Sequence, residues 1–568
     1  MKNFFEKINL ILDKDHKRKT KIIISVIIGT TVLEILGISL VIPIFAIIFE
    51  NNNLSKYFIF NNYFNNLEKQ TLILTIICLV LIIYLMKNLL LSFFTIYQSR
   101  FIWGVKKDLA EKILNRYLST DKKFIEKKNS SILLNILTKE ISYFVHLLFS
   151  SLIFVSETLI LSSVIIIMIF FETKIFISLL FFIMIYYIIL LIFTKKKIKI
   201  LGNKRIFFDT SYLKYSSQVI EGVREIKIYN QSDYFIKKFN NTTNEVYNIN
   251  WKLEMFQNIP RFWLEYLILT FVLILVLILN KSSSSDNIML IIGLLAIAGA
   301  RLLPSINRMY QSFQSIKIYF PCIDAIAIEL NKKTEEIFLE GKKRDFKFVN
   351  KIEFKNLNFD YQNYKVFENF RFNIEKNSLI GIYGPNGSGK STMLDLMFGF
   401  IKPKRGEILV DGFDIQQNLS NWQKKISYIP QKIFLTDSTI LENITFTENL
   451  DKIDEKFFND ILKKSTLNEV INKLPNGIHT NVGERGSKLS GGQQQRIGLA
   501  RALFKKPEIL VMDESISSID NYNANKIIST INSMNDITRI IVSHNLEILE
   551  NCDKVFRLSD GKIKEMKI

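Results

Sequence analysis

Cysteine is scarce in this chain: 568 residues hold three. Cys78, Cys322 and Cys552 stand far apart and form no Cys-x-x-Cys pair, which argues against both a disulfide framework and a zinc site. The N-terminus lacks a short apolar stretch followed by a small-residue cleavage site, so no cleaved signal peptide is expected and the first apolar run should remain as an anchor. Acidic residues are the minority charge, 54 against 74 Lys and Arg, for a formal net charge of +20. An excess of that kind raises the question of nucleic-acid binding. Here the basic residues collect between apolar runs, at 17–21, 122–128 and 195–199, as they do in cytoplasmic loops of membrane proteins, so no nucleic-acid partner is expected.

Long apolar runs are what the chain has instead. About 20 mostly apolar residues cross a bilayer's hydrocarbon core. Six stretches qualify, near 22–49, 72–97, 148–171, 175–193, 263–279 and 288–303. From about 331 onward the composition turns mixed and charged, like a soluble α/β domain. The domains expected are a transmembrane domain over 1–330 with two long cytoplasmic loops, a linker over 331–350 and a globular domain over 351–568. Lys and Arg alternate between connections in a way that places the N-terminus, the two long loops and the C-terminal domain on the cytoplasmic side. The outer segment 54–67 spaces Tyr57, Phe58, Phe60, Tyr63, Phe64 and Leu67 as an interfacial amphipathic helix would, and a loosely packed loop fits the pattern equally. The charged loops suggest helices that continue into the cytosol, with 120–124 and 229–233 as candidate contact points for the C-terminal domain.

In the C-terminal half the apolar strand Ser378-Leu-Ile-Gly-Ile-Tyr383 runs into Gly384-Pro-Asn-Gly-Ser-Gly-Lys-Ser-Thr392 and then a helical stretch. This is a complete GxxxxGK[ST] loop in its confirming strand-to-helix context. Glycines let backbone N–H groups wrap phosphates, Lys390 adds positive charge at the β and γ phosphates, and Ser391 offers a hydroxyl to Mg2+. A second strand, Ile509-Leu-Val-Met-Asp-Glu514, ends in two carboxylates. One can hold a hard cation and the next can polarise an attacking water. Two solvated acids that merely stop a strand are the alternative.

With Leu489-Ser-Gly-Gly-Gln-Gln-Gln-Arg496 the motif set resembles that of the ABC transporter ATPases. The fold the resemblance implies is an α-helical six-span transmembrane domain joined to an α/β P-loop ABC ATPase domain, a type IV exporter half-transporter. It implies ATP held by Gly384, Pro385, Asn386, Gly387, Ser388, Gly389, Lys390, Ser391 and Thr392, with Tyr361 on the adenine; packing is the alternative for Tyr361. It also implies Mg2+ ordered by Asp513 with Ser391 and Gln431, Glu514 as general base, His544 as switch histidine, Gln431 as γ-phosphate sensor, and Asp520 in a loop spanning the dimer. Ser490, Gly491, Gly492 and Gln493 would close over the nucleotide of a partner copy, so the resemblance implies a homodimer with two equivalent sites. Gln494, Ser515 and Ser518 depart mildly from the family pattern and remove no catalytic group.

Ionisable residues within lipid are costly and mark a pathway or a partner. Glu34, Lys87, Glu265 and Arg301 fall in the apolar runs, with Arg261 and Arg308 flanking. They either pair with one another, as Glu34 with Lys87 or Glu265 with a neighbouring Arg, or line a basic cavity. The membrane half resembles the bacterial flippases of lipid-linked oligosaccharides, on Ile38-Ser-Leu-Val-Ile-Pro43, Ile259-Pro-Arg-Phe-Trp-Leu-Glu265 and Arg301-Leu-Leu-Pro-Ser-Ile-Asn-Arg308. That resemblance implies Lys87, Arg261 and Arg301 facing a pyrophosphate headgroup. It also implies membrane lipid as the surroundings, an amphipathic lipid-linked substrate and a multi-pass location in the bacterial cytoplasmic membrane. A multidrug, lipid A or peptide exporter is the competing expectation.

Overall fold

The structure, a computed structural model, describes residues 2–49, 69–120, 128–171, 173–279, 285–331, 347–361, 364–447, 454–514 and 521–567. The chain divides into two compact units, Met1–Leu118 with Lys128–Lys332, and Ser119–Lys127 with Lys333–Ile568.

The first unit is helical. Each of the six apolar runs lies on one long helix: Lys14–Phe49, Lys69–Ser119, Ile141–Phe171, Thr173–Glu221, Ser232–Leu279 and Ser285–Tyr319. Three of these helices hold 51, 49 and 48 residues. At 1.5 Å per residue each is about 72–77 Å long, more than twice a hydrocarbon core of about 30 Å. Their charged ends therefore extend beyond any bilayer their apolar parts occupy. Among the described residues, Ile73–Ser119, Ser130–Ile166 and Ser232–Leu277 are long and apolar enough to cross a membrane. Leu81, Leu85 and Phe93 on the second long helix are well exposed, an arrangement that suits lipid as the surrounding solvent.

Where helices meet they bury Leu161, Val164, Leu264, Leu302 and Ile306 in one cluster and Ile198, Ile249, Leu253 and Ile318 in another. Pro260 and Pro304 sit inside helices, where each removes a backbone donor. The Pro260 carbonyl accepts a 2.7 Å bond from the Tyr186 hydroxyl on a neighbouring helix. Toward the polar ends Lys139 pairs with Asp209 at 2.6 Å, and the Arg205 guanidinium lies 3.9 Å from the Tyr143 ring centre. The expected interfacial segment 54–67 and the contact candidates 121–124 lie outside the described residues. At 229–233 the chain turns between helices Val223–Ile228 and Ser232–Leu279, with Asn230 left-handed at φ 51° and Tyr229 exposed.

The second unit is α/β. A four-stranded antiparallel sheet has the order β2 (Tyr364–Glu375), β1 (Lys351–Tyr361), β4 (Arg405–Val410), β5 (Phe413–Asp414). A six-stranded sheet has the order β10 (Lys562–Met566), β9 (Lys554–Ser559), β3 (Leu379–Tyr383), β8 (Thr538–Ser543), β7 (Ile509–Asp513), β6 (Ile426–Ile429). The ladders from β9 through β6 are parallel, and β10 pairs antiparallel at the edge. Parallel strands covered on both faces read as continuous apolar runs, and β3, β7 and β8 are buried over almost their whole length. Between the sheets lies an aromatic-rich core of Phe354, Phe370, Phe372 and Trp422. Trp422 is fully buried and its indole N–H donates to the Met397 carbonyl at 2.7 Å, so it loses no hydrogen bond on leaving water.

Candidate nucleotide site

Register brings the chemistry to one edge. Tyr383 of β3 pairs with Ser543 of β8, and Asp513 of β7 pairs with Val542, so three parallel strands end side by side. The residues that follow each strand, the glycine-rich loop, Glu514 and His544, meet at that carboxyl edge. This is where open α/β sheets bind ligands.

The loop from β3 ends in helix Lys390–Met397, whose N-cap Gly389 has φ 102°. A Cβ on Gly389 would lie 3.1 Å from both Val366 and Phe367, and one on Gly384 would lie 2.4 Å from the Leu558 carbonyl oxygen. Sterics and the left-handed backbone thus both call for glycine at 389. Lys390 is buried, and its ammonium turns back to donate to the Gly384 carbonyl at 2.6 Å and the Pro385 carbonyl at 3.1 Å. The Ser388 hydroxyl is buried without a hydrogen-bond partner among the described residues. An uncommitted hydroxyl, a buried ammonium that donates to two neutral carbonyls and a helix N-terminus together fit a polyphosphate.

A cavity of about 440 Å3 opens beside this loop. Asn386, Gly387, Gly389, Lys390, Ser391 and Thr392 line one side, Gln431, Asp513 and Glu514 another, and Tyr361, Tyr364 and Val366 a third. Tyr361, at the end of β1, is therefore a wall of the cavity, with its ring 5.0 Å from that of Phe359. Tyr364 and Val366 were missed by the sequence reading; their signal is position, on the strand hairpinned to β1 opposite the loop.

Glu514 is the hub of the polar groups. The Gln431 side-chain amide donates to Glu514 Oε2 at 3.0 Å, and His544 Nδ1 lies 3.3 Å from Glu514 Oε1. The Glu514 backbone is left-handed at φ 49°, and its N–H donates to the Val542 carbonyl at 2.9 Å. A non-glycine residue in that region carries a conformational cost and is found at functional sites. Beside it, the Tyr428 hydroxyl donates to Asp513 Oδ2 at 3.1 Å. Burial raises the Asp513 carboxyl above its usual range, the Tyr428 hydrogen bond opposes this, and the nearby Glu514 charge adds to the rise. A buried carboxylate whose charge is disfavoured, next to a second carboxylate and the Ser391 hydroxyl, is a donor set suited to a hard divalent cation. Tyr428 was also missed from sequence; burial and the Asp513 charge push its own hydroxyl pKa upward.

The signature residues sit elsewhere. Ser490 caps helix Gly491–Phe504 in a reciprocal box: Gln493 N–H donates to Ser490 Oγ at 3.4 Å, and Ser490 N–H donates to Gln493 Oε1 at 2.9 Å. Ser490 and Gly491 are exposed. None of Ser490, Gly491, Gly492 and Gln493 lines the nucleotide cavity. Asp520 lies outside the described residues.

In the helical unit the ionisable residues of the apolar runs pair with one another. Glu34 is shared: Lys87 Nζ donates to its Oε2 at 2.9 Å and Arg301 Nε lies 2.6 Å from its Oε1. Arg261 pairs with Glu265 at 2.7 Å one turn away, and Arg308 with Glu157 at 2.5 Å. The three expected substrate-facing cations, Lys87, Arg261 and Arg301, thus each carry a carboxylate partner.

A helical membrane unit joined to a P-loop domain whose carboxyl edge gathers phosphate, cation and water-activating groups defines a membrane-associated nucleotide-binding protein. The chain belongs to the ABC transporters: the family described as ABC transporter transmembrane region matches residues 21–299, and the family described as ABC transporter matches residues 367–517. It is 30% identical over 357 residues to an ATP-dependent lipid A-core flippase of Saccharophagus degradans, covering 62% of this chain and 59% of that one. It is 34% identical over 227 residues to a protein of the same description from Francisella novicida, covering 40% and 38%. The chain thus spans less than two thirds of each of these relatives' own length. Its fold is that of the solved structure of a bacterial Atm1-family ABC exporter with ATP bound, with a TM-score of 0.78, 19% identity and coverage of 97% of this chain and 95% of that one.

Proposed function

We propose that this chain is an ATP-hydrolysing exporter or flippase that moves a lipid-linked oligosaccharide, or a related amphipathic lipid, across the bacterial cytoplasmic membrane. The observation that carries the ATPase half is the Gln431–Glu514 pair facing the phosphate loop across one cavity, with His544 3.3 Å from Glu514. Glu514 takes the proton of the attacking water, with its carboxylate oriented by the Gln431 amide and the His544 ring. Lys390 and the loop N–H groups hold the β and γ phosphates. Ser391, Asp513 and Gln431 would hold Mg2+, which when bound neutralises phosphate charge. Tyr361 stacks on the base.

Because Ser490, Gly491, Gly492 and Gln493 do not line the cavity of their own chain, the working site is read as a composite of two copies, with Asp520 at the same junction. The protein would be a homodimer closed by ATP. The domain reading is a six-span transmembrane domain over 1–330, a linker over 331–350 and the ATPase over 351–568. Lys87, Arg261 and Arg301 would serve an acidic headgroup. The relatives named lipid A-core flippases favour lipid A-core as a second candidate substrate.

The test is flipping of a fluorescent lipid-linked oligosaccharide in proteoliposomes with MgATP, comparing the intact chain with Glu514→Gln. Flipping that needs ATP and disappears in the variant supports the reading. Healthy hydrolysis without flipping removes this substrate and directs the same assay to lipid A.

A further inference from the structure

Tyr428 stands between two cavities of the second unit. Its ring lines one of about 600 Å3, together with Phe398, Phe446 and Arg501, and its hydroxyl reaches Asp513 on the wall of the other, the nucleotide cavity. The pairing of β6 with β7 explains the reach. Tyr428 is opposite Val511, and Asp513 comes two residues later on the same strand, so the two side chains leave one face of the sheet as diagonal neighbours. An aromatic side chain spans such a diagonal. On its other side the Tyr428 ring meets that of Phe398, with 4.9 Å between the ring centres.

Asp513 has need of a hold. The charges of Glu514 and Asp395 repel its carboxylate and that of Lys390 attracts it, forces that act over distance and fix no orientation. The Tyr428 hydroxyl supplies orientation, because it donates a hydrogen bond to Oδ2 at 3.1 Å. Tyr428 itself does not line the nucleotide cavity, so whatever it does for a ligand there passes through Asp513.

We propose that Tyr428 is a positioning residue for the divalent cation: by orienting the Asp513 carboxylate it sets how tightly the nucleotide-loaded site holds the metal, and it takes no part in holding the nucleotide. This rests on the ATP-hydrolysis reading and gives a task to a residue for which that reading has none. Groups that hold a metal-binding carboxylate in place contribute roughly 10–100-fold to metal affinity.

The test is Mn2+ binding to the full-length chain loaded with one non-hydrolysable ATP analogue per site, read from the electron paramagnetic resonance of the free ion, beside binding of a fluorescent ATP analogue in EDTA. Tyr428→Phe keeps the ring and removes the donor. Its Mn2+ dissociation constant is expected to rise about tenfold or more, with metal-free nucleotide affinity equal to that of the parent. Tyr428→Leu, which removes ring and donor together, should raise the Mn2+ constant by at least the same factor. In an Asp513→Ala background, where the phosphates and Ser391 still offer oxygens to the ion, Tyr428→Phe should change nothing further.

An unchanged Mn2+ constant in Tyr428→Phe would overturn the proposal, and a loss confined to Tyr428→Leu would do so by assigning the residue to packing. A matching loss of metal-free nucleotide affinity in Tyr428→Phe, or an equal effect of that exchange with and without Asp513, would also overturn it. Parent chain that binds the ATP analogue and Mn2+ normally beside any of these results leaves the ATP-hydrolysis reading standing; parent chain that binds neither removes both.

Discussion

Gln431 and Glu514, 83 residues apart in sequence, are joined side chain to side chain at 3.0 Å. The amide N–H donates to the carboxylate and so fixes its orientation. Glu514→Gln removes the acceptor of the water's proton and leaves the phosphate loop intact. Hydrolysis is expected to fall by about 10²–10⁴-fold with nucleotide binding retained. Phosphate release measured beside equilibrium binding of a fluorescent ATP analogue checks this, and loss of both together would contradict the assignment.

Gly389→Ala places a Cβ 3.1 Å from Val366 and Phe367 on a backbone at φ 102°. The left-handed conformation alone costs about 1–2 kcal/mol, and the loop is expected to shift and to weaken ATP binding by about tenfold or more. Binding titration against Gly387→Ala separates the two effects. Gly387 is also left-handed, at φ 82°, but nothing lies within 4 Å of its added Cβ.

Trp422→Ala empties a fully buried site and strands the Met397 carbonyl that the indole N–H satisfies. A loss of about 3–5 kcal/mol is expected, read from urea unfolding of the full-length chain followed by nucleotide-site fluorescence.

Asp411 gives an acid-side signature. Its carboxylate accepts backbone N–H bonds from Val349 at 2.5 Å and from Asn350 and Lys351 at 2.9 Å each. Burial pushes its pKa up, but these bonds outweigh that and hold it below the usual carboxylate range. The stability it adds is fully present above its unfolded value of about 3.9 and is lost as pH falls through the depressed folded value. Asp411→Asn should therefore be less stable than the parent at neutral pH, with the gap closing on acidification. Hydrogen exchange at residues 349–351 across a pH series measures it; a gap that widens toward low pH contradicts the assignment.

The glycine-rich loop, the acidic strand end and the signature were legible because each is a contiguous string that fixes its own local geometry. What joins them was not. Tyr428 reaches Asp513 across 85 residues of sequence, through the β6–β7 pairing, and nothing in Tyr428-Ile-Pro-Gln431 announces that contact. The apolar runs foretold helices and the charged loops their continuation beyond the apolar parts, but not the lengths of 48–51 residues, because the polar extensions lack the uniform apolar character that marks the rest. The charges in those runs could be sorted only in part: the pairing of Glu34 with Lys87 and of Glu265 with a neighbouring Arg is one of two readings of the sequence, and both pairs are present. What the sequence did not show is the second partner: the packed helices join Glu34 to Arg301 as well as to Lys87.

The separation of Ser490 from the cavity of its own chain bears on inheritance. If two copies share each site, a cell that makes both intact and Ser490-defective chains assembles mixed pairs. In such a pair the faulty copy spoils the pocket of its healthy mate while its own pocket, closed by that mate, stays sound. A lesion at Lys390 damages the other pocket of the pair. Two alleles, one broken at each position, would then meet in a pair with one ruined and one sound pocket, the arrangement geneticists recognise as complementation between mutations in a single gene.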